Sequence, residues 1–337
     1  MKKSYLKLNL TKGFATFVRF SFCLNFKAVK LFNPQNTFMK NILIAGGTGL
    51  VGTHLSRLLR GQGYTVSHLS RHADSHAEFP TFAWLPDKGT YDKNAFDNVD
   101  AVINLAGAGV VDKRWTAARK KVIIESRTLS NALIAKFLHA EKHTIKAYIS
   151  ASAIGFYADR GAALMTEKDA AGKGFLAEST VAWENAIDEV RKTGIRTVAL
   201  RIGIVLSTEG GALPEMLKPF VARTGIYFGN GEQYLSWIHI EDLCRMFQFA
   251  LEQDNMSGIF NAVAPNPMTN YAFTKAIAEA KGGGYLLLPA PAFALRIAMG
   301  EMADTVLGST NVSSQKIENQ GFTFVYTDAL SALQSLL

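Results

Sequence analysis

Three glycines at a regular spacing are the feature of this sequence that most directly suggests chemistry. Gly46, Gly49 and Gly52 follow an apolar run and precede a helical stretch, in the order Gly-Gly-Thr-Gly-Leu-Val-Gly. In such a strand–turn–helix setting, glycines permit a tight turn, approach of the backbone to a pyrophosphate, and close helix–strand packing. The predicted dinucleotide-binding residues of this loop are Gly46, Thr48, Gly49, Leu50, Val51 and Gly52. The alternative is a glycine-rich turn that binds no ligand.

A basic residue stands where NAD-selective folds place a carboxylate. About 20 residues after the glycines, at the end of the second strand, such folds have an Asp or Glu that accepts hydrogen bonds from the adenosine ribose. This sequence has Ser70 and Arg71 at that place. A guanidinium can bind a phosphate through two hydrogen bonds, and no carboxylate is present there to repel it. We therefore predict NADP(H) as the cofactor; the alternative is that Arg71 is a solvated loop cation.

Composition and charge argue against several other classes of protein. The 337 residues are 48% hydrophobic and 19% charged, which is typical of a globular chain with two domains or one large α/β unit. Of the net charge of +8, seven charges lie in the first 38 residues, which contain no Asp or Glu, so that residues 39–337 carry +1. A nearly neutral body gives no reason to expect nucleic-acid binding. The two cysteines and seven histidines show no disulfide framework and no metal-ligand spacing, so we predict no catalytic metal.

The elements that would position these residues alternate between β-rich and helical stretches. From residue 41 onward this alternation predicts parallel β-α-β units. The predicted strands are 41–45, 64–70, 81–84, 101–106, 146–152, 195–206 and 259–263. Helices are predicted over 50–60 and about 116–139, the second with Val122, Leu129, Leu133 and Phe137 on one face. The predicted fold class is α/β, a Rossmann-type doubly wound parallel sheet with a smaller C-terminal substrate lobe.

The two ends of the chain differ from its middle. We predict a basic extension over 1–38, a dinucleotide-binding domain over 39–284 and a small C-terminal lobe over 285–337. The extension is interpreted as a targeting peptide, a membrane-surface segment or upstream sequence from a wrongly assigned start. The last is favoured because Met39-Lys40 leads directly into the first strand. Under that last interpretation we expect a cytoplasmic location, and because no apolar run reaches 18 residues we expect no transmembrane helix.

Several segments beyond the glycine loop resemble one superfamily. The segments Asn104–Gly107 and Ser236–Leu243, together with the glycine spacing, are similar to the extended short-chain dehydrogenase/reductases. More narrowly, the chain from Met39 to Leu337 resembles the atypical, nucleotide-sugar epimerase-like family. The segments that carry this resemblance are Asp100–Gly107, Arg114-Trp115, Ser126-Arg127, Arg201–Leu206, Gly210–Leu213, Pro291–Leu295 and Gly300–Met302.

The resemblance implies an NADP(H)-binding Rossmann-type domain whose C-terminal portion closes over a substrate cleft. It assigns Ser70 and Arg71 to the 2′-phosphate. The other cofactor-binding residues that it implies are Leu105 and Ala106 beside the adenosine and pyrophosphate, Gly107 next to them, Arg127 from the long helix, and Val205 near the nicotinamide.

The usual proton-transfer residues of the superfamily are missing from the sequence. These enzymes use a Tyr, a Lys four residues later and a Ser or Thr, and the cation stabilises the phenolate. Where the Tyr and Lys are expected, this chain has Phe175 and Ser179. We predict Ser152 and Tyr157 as the catalytic candidates, with Lys173 and Glu178 as more distant options. The alternative for Tyr157 is a packed aromatic ring.

Two functions follow from this pattern. The first is an epimerase-like or reductase-like enzyme that uses NADP(H) and acts on a sugar nucleotide or a related polar metabolite. The second is a catalytically degenerate NADP(H)-sensing binding protein. A deep polar pocket beside the nicotinamide would favour the enzyme, and an exposed apolar patch on the C-terminal lobe would favour the binding protein. The sequence indicates neither a nucleic-acid nor a membrane partner, and it leaves the oligomeric state open.

Overall fold

A mostly parallel sheet of eight strands forms the centre of the structure, a computed structural model that describes residues 39–74 and 76–337. The predicted basic extension over 1–38 lies outside the described residues. The strands are β1 Asn41–Ala45, β2 Thr65–Ser70, β3 Thr81–Leu85, β4 Thr90–Tyr91, β5 Ala101–Asn104, β6 Ala147–Ala153, β7 Leu164–Met165, β8 Arg196–Ile202, β9 Ile204–Leu206, β10 Thr224–Phe228, β11 Tyr234–Leu235, β12 Trp237–His239, β13 Gly258–Ala262, β14 Met268–Thr269, β15 Leu286–Ala290 and β16 Asn311–Val312. The helices are α1 Leu50–Gly61, α2 Ala117–Ala140, α3 Phe175–Arg191, α4 Ala212–Leu217, α5 Ile240–Glu252, α6 Asn270–Ala280, α7 Ala292–Met299, α8 Asp304–Leu307, α9 Gln315–Asn319 and α10 Ala329–Leu336.

The order of the strands creates the crevice in which such folds bind ligands. The order is β13-β8-β6-β5-β1-β2-β3-β4, and every pairing in it is parallel except that of β3 with β4. The chain runs outward from β1 in one direction through β2 and β3, and then returns to β5 on the other side of β1. Ligands bind at the carboxyl ends of strands where the order reverses, here between β1 and β5. The predicted doubly wound parallel sheet is confirmed.

The central strands are buried because helices cover both faces of the sheet. Ile42, Leu43 and Ile44 of β1 are at most 1% exposed, and β5 is buried along its whole length. Such continuous apolar runs are typical of parallel sheets that are covered on both sides. The helix pairs α1–α5 and α2–α3 pack against each other in these layers. Burial on both sides holds the strand ends, and the loops that follow them, in fixed positions.

Two predictions about local structure need correction. The single strand predicted over 195–206 is divided into β8 and β9 at Gly203, where a Cβ would lie 2.4 Å from the backbone oxygen of Ser236. This close approach bends the chain, so that β9 pairs with β12 outside the central sheet. On α2, Val122 is 46% exposed while its neighbour Ile123 is buried. The contact with α3 and the sheet, rather than the count of apolar residues, sets the buried face of that helix.

The C-terminal segment is tied to the earlier chain by a strand pair. Strand β15 pairs in parallel with β10, in register from Thr224 with Leu286 to Phe228 with Ala290. Helix α10 lies against α6. The domain boundary at residues 284 and 285 stays a prediction. Within residues 39–74 and 76–337, no helix is both long and apolar enough to cross a membrane.

Candidate functional site

The glycine loop lies between β1 and α1, at the point where the strand order reverses. Gly46 has a φ of +77°, and a Cβ there would lie 2.9 Å from the carbonyl carbon of Leu105 in the loop after β5. A Cβ at Gly52 would lie 2.3 Å from the backbone oxygen of Gly46, so this glycine allows the helix to approach the strand. Thr48 and Gly49 are exposed at the top of the loop. The start of α1 is therefore open to a ligand on its outer side.

A buried histidine supports this loop from below, and the sequence analysis did not identify it. A Cβ at Gly47 would lie 2.3 Å from the ring of His68 on β2. The His68 Nε2 is 2.7 Å from the hydroxyl of Ser56, which donates to the backbone oxygen of Gly52 at 2.7 Å. Because that hydroxyl donates to Gly52, Nε2–H of the neutral imidazole donates to Ser56. Burial lowers the pKa of His68 to about 4. The neutral ring thus connects β2 to the first turn of α1.

The loop after β5 is held by a buried amide at the end of the strand. Asn104 donates to the phenol of Tyr148 at 2.8 Å, and its Oδ1 accepts from the backbone N–H of Ala106 at 3.0 Å. Tyr148 in turn donates to Asn131 on α2 at 2.6 Å. These bonds fix Leu105 and Ala106 beside Gly46, as expected for the wall of a cofactor crevice. Asn104 belongs to a segment used for the resemblance, but its positioning role appears only in three dimensions.

Arg127 extends from α2 to the same loop. Its guanidinium donates to the backbone oxygens of Ala108 at 3.0 Å and Ile123 at 2.9 Å, and its Cζ lies 4.9 Å from the centre of the Trp183 ring. A Cβ at Gly107 would lie 3.0 Å from Arg127 Cζ. Burial, and secondarily a neighbouring arginine, lowers the pKa of Arg127 to about 10, so the group remains cationic at neutral pH. The structure thus brings Gly107 and Arg127 together.

The pair predicted to bind the 2′-phosphate lies at the carboxyl end of β2. Ser70 is the last residue of that strand and is half-buried, and Arg71 follows it and is exposed. Among the described residues, Arg71 has no ion-pair partner. This cation therefore lies one strand away from the glycine loop, free to bind an anion.

The predicted nicotinamide end is formed by β9 and the segment that follows it. Val205 pairs with Ile238, and its backbone oxygen would lie 3.6 Å from a Cβ at Gly211. A Cβ at Gly211 would also lie 3.5 Å from the side chain of Leu50 at the start of α1. Leu50 and Val205, 155 residues apart in the sequence, are therefore brought to one side of the crevice.

Ser152 lies near the end of β6 and is 2% exposed. Its hydroxyl donates to Oε1 of Glu184 on α3 at 2.6 Å. The Glu184 carboxylate also accepts two hydrogen bonds from Arg201 on β8, at 2.8 and 2.7 Å. The two charges neutralise each other in a buried place, where an unpaired charge would be costly. The predicted catalytic serine is thus held by an ion pair in the interior of the protein.

Tyr157 belongs to the same hydrogen-bond network and is fully buried. Its hydroxyl donates to Oδ1 of Asn261 at 2.7 Å and accepts from Arg201 at 2.9 Å. Burial raises the pKa of Tyr157, although the Arg201 charge acts in the opposite direction. Both hydrogen bonds of the phenol are therefore made within the protein. This geometry favours the packed aromatic ring that the sequence left as an alternative.

The positions where a Tyr and a Lys are expected lie on the first turns of α3. Phe175 contacts the Trp115 ring edge-on, with ring centres 4.7 Å apart, and the hydroxyl of Ser179 donates to the backbone oxygen of Leu176. Lys173 and Glu178 are both exposed near this end of the helix. In the part of the chain that is described, no group of three or more His, Cys, Asp or Glu side chains is placed to hold a metal ion.

Comparisons with known proteins agree with this geometry. Residues 42–263 match the model of the NAD dependent epimerase/dehydratase family, and residues 290–336 match a domain of unknown function, DUF1731. An epimerase family protein of Mycobacterium bovis is 38% identical over 295 residues, which cover 87% of this chain and 96% of that protein.

Two solved structures are similar over most of the described chain. The crystal structure of a human epimerase family protein with NADPH has a TM-score of 0.78 and 28% identity, and covers 88% of this chain and 98% of the human chain. A nucleoside-diphosphate sugar epimerase from Corynebacterium glutamicum has a TM-score of 0.72 and 32% identity, with 89% of this chain covered. This chain spans 58% of the Corynebacterium protein.

Proposed function

Because the chain belongs to the NAD dependent epimerase/dehydratase family, we propose that it is an NADP(H)-dependent enzyme that acts on a sugar nucleotide or a related polar metabolite. Its fold binds a nicotinamide dinucleotide. The observation that carries the choice of NADP(H) is the exposed, unpaired Arg71 beside the glycine loop, at a place without a carboxylate. The presence of NADPH in the similar human structure supports this choice.

The residues present fit such a cofactor at each of its parts. The glycine loop leaves the start of α1 open for a pyrophosphate, and Ser70 and Arg71 would hold the 2′-phosphate. Leu50 and Val205 would flank the nicotinamide end. When bound, the nicotinamide ring would supply hydride transfer to or from a substrate carbon.

The chemistry of this chain would proceed without the Tyr and Lys of the superfamily. Ser152 would orient a substrate oxygen, and its own proton is directed to Glu184 at 2.6 Å. The Glu184–Arg201 ion pair would keep the hydroxyl in a single orientation. Tyr157 would hold the end of β6 against β13 through its bond to Asn261.

The cofactor assignment is tested by paired titrations with NADPH and NADH. Arg71→Ala should weaken NADPH binding about 10- to 150-fold, because a charge-assisted pair contributes about 1.5–3 kcal/mol. NADH binding should change little. Lys142→Ala, which removes an exposed cation that precedes β6, is the matched control. Equal losses for both nucleotides would contradict a phosphate contact.

The catalytic assignment is tested by turnover of a panel of sugar nucleotides, followed by nicotinamide absorbance. Ser152→Ala should lower turnover while the NADPH affinity stays unchanged. Unchanged turnover would remove Ser152 from the catalytic residues.

One observation favours a second candidate function, a catalytically degenerate NADP(H)-sensing binding protein. Helix α7 is apolar except for Arg296, yet none of its residues is buried; Phe293 is 69% and Ile297 75% exposed. On β15, Leu286 is 63% exposed. A patch of this kind is typical of partner-binding surfaces. The sensing function predicts no turnover across the panel. It also predicts that NADPH changes the fluorescence of a hydrophobic dye bound to the patch, and that Phe293→Ser abolishes this change.

A further inference from the structure

Four parts of the chain meet around Phe175. They are the loop over residues 107–116, the start of α2, the start of α3 and the turn over Gly300–Ala303. The Trp115 ring meets Phe175 edge-on, and Lys120 Nζ lies 5.2 Å from the centre of the same ring. Lys120 forms an ion pair with Glu301. The segments Arg114-Trp115 and Gly300–Met302, which are far apart in the sequence, therefore lie next to each other.

Arg114 depends on a glycine for its position. Gly300 has a φ of +61°, and a Cβ there would lie 3.1 Å from Nη2 of Arg114. The guanidinium thus lies over a backbone that has no side chain. Arg114 is exposed and, among the described residues, its guanidinium makes neither an ion pair nor a hydrogen bond. Neighbouring Lys113 is also exposed and unpaired there.

The charges around this place lack a balancing anion. Helix α2 has Arg119 and Lys120 in its first turns and no acidic residue in the first turn, although a helix start favours negative charge. The nearby carboxylates are already in use, because Asp112 pairs with Arg119 and Glu301 with Lys120. Arg114 and Lys113 remain uncompensated. An anionic ligand would balance both the two free cations and the helix start.

The distance from this cluster to Ser152 restricts the size of such a ligand. Phe175 begins α3, and Glu184, which binds the hydroxyl of Ser152, lies nine residues further along the same helix. At 1.5 Å per residue this separation is about 13 Å along the helix axis. A ligand that reaches both places must be elongated, with its anionic part well away from its reacting carbon.

We propose that Arg114 and Lys113 bind the diphosphate of a nucleoside-diphosphate substrate, and that Trp115 and Phe175 contact its base. This inference rests on the proposed function and identifies where that function's substrate is held. An Arg guanidinium matches phosphate oxygens through two hydrogen bonds, and half-buried aromatic rings offer a flat apolar surface. The Gly300 turn leaves room for the guanidinium, because a Cβ at this position would lie 3.1 Å from Nη2 of Arg114.

The proposal is tested by calorimetric titration of NADPH-saturated protein with UDP, uridine and inorganic pyrophosphate. Saturation with NADPH keeps the probes out of the cofactor's own pyrophosphate site. Arg114→Gln should weaken UDP and pyrophosphate binding at least about tenfold and leave uridine unaffected. Phe175→Leu should weaken UDP and uridine but not pyrophosphate. Lys136→Gln, an exposed change on the same helix, is the charge-matched control.

A second variant keeps the test independent of Arg114 itself. Gly300→Ala should weaken UDP binding in the same direction, because the new Cβ meets the guanidinium, and thermal unfolding verifies that the variant is folded. Absence of UDP binding, or equal UDP affinity for Arg114→Gln and Lys136→Gln, would overturn the proposal while NADPH binding stands. Failure of NADPH binding itself would instead refute the proposed function.

Discussion

A single methyl group added at Gly52 should damage both folding and cofactor binding, whereas the same change at Gly61 should do neither. Both glycines lie on α1. The Cβ at Gly52 would lie 2.3 Å from the Gly46 backbone oxygen and 2.6 Å from the Gly47 Cα. These are backbone atoms, which cannot move aside as the end of a flexible side chain can. A Cβ at Gly61 would meet nothing within 4 Å.

The expected magnitudes follow from two opposing effects. Alanine is favoured over glycine in a helix by roughly 0.5–1 kcal/mol, which should stabilise Gly61→Ala by at most about that amount. Overpacking costs about 1–3 kcal/mol, and at Gly52 it should exceed the helix gain. The helix gain is common to both variants, so we expect their free energies of unfolding to differ by the overpacking cost, about 1–3 kcal/mol. Urea unfolding measures this difference as a shift of the midpoint at constant slope.

Cofactor binding gives a second readout of the same perturbation. Moving α1 away from β1 displaces the loop that would bind the pyrophosphate, so Gly52→Ala should raise the NADPH Kd at least about tenfold. Gly61→Ala should leave the Kd unchanged. Equal stabilities of the two variants, or wild-type NADPH affinity in Gly52→Ala, would refute the argument that close packing of α1 against β1 at Gly52 positions the loop for NADPH.

Three further predictions concern buried polar groups. Burial lowers the pKa of His68 to about 4, from the ordinary value of 6.5. As the pH falls from 6.5 to 4, the unfolded chain therefore binds more protons than the folded protein does. The free energy of unfolding should fall by up to about 3 kcal/mol over that range. Urea unfolding at several pH values should show that the free energy of unfolding falls less steeply with decreasing pH in His68→Gln. In His72→Gln it should fall as it does in the wild-type protein. Glu184→Gln leaves a buried guanidinium unpaired and should cost about 3–5 kcal/mol in urea unfolding, whereas the exposed Glu189→Gln should not change stability. Tyr157→Phe should cost about 1–3 kcal/mol with unchanged turnover; lost turnover at unchanged stability would instead show a catalytic role.

Much of the fold could be predicted from local sequence because its signals are local. The apolar run of β1, the glycine spacing and the start of α1 are adjacent in the chain. Gly52 is required within this same segment, because a Cβ there would lie 2.3 Å from the Gly46 backbone oxygen. The absence of a carboxylate after β2 is also visible in the sequence, because it depends on two neighbouring residues, Ser70 and Arg71.

The remaining features depend on contacts between distant residues. The buried face of α2 was wrongly predicted at Val122 because periodicity alone does not show where α3 will pack. The division of the predicted strand at Gly203 depends on a contact with Ser236, which lies 33 residues later. The periodicity of apolar residues does not reveal such a contact.

The sequence by itself determined the doubly wound fold, the place of the glycine loop and the cation at the end of β2, because these follow from the order of residues along one segment. Only the tertiary structure decided that Ser152 bonds to Glu184, that Arg201 joins that carboxylate to Tyr157, and that Arg114 lies over Gly300. The physical reason is that hydrogen bonds and ion pairs act over about 3 Å in space, whatever the separation of their partners along the chain.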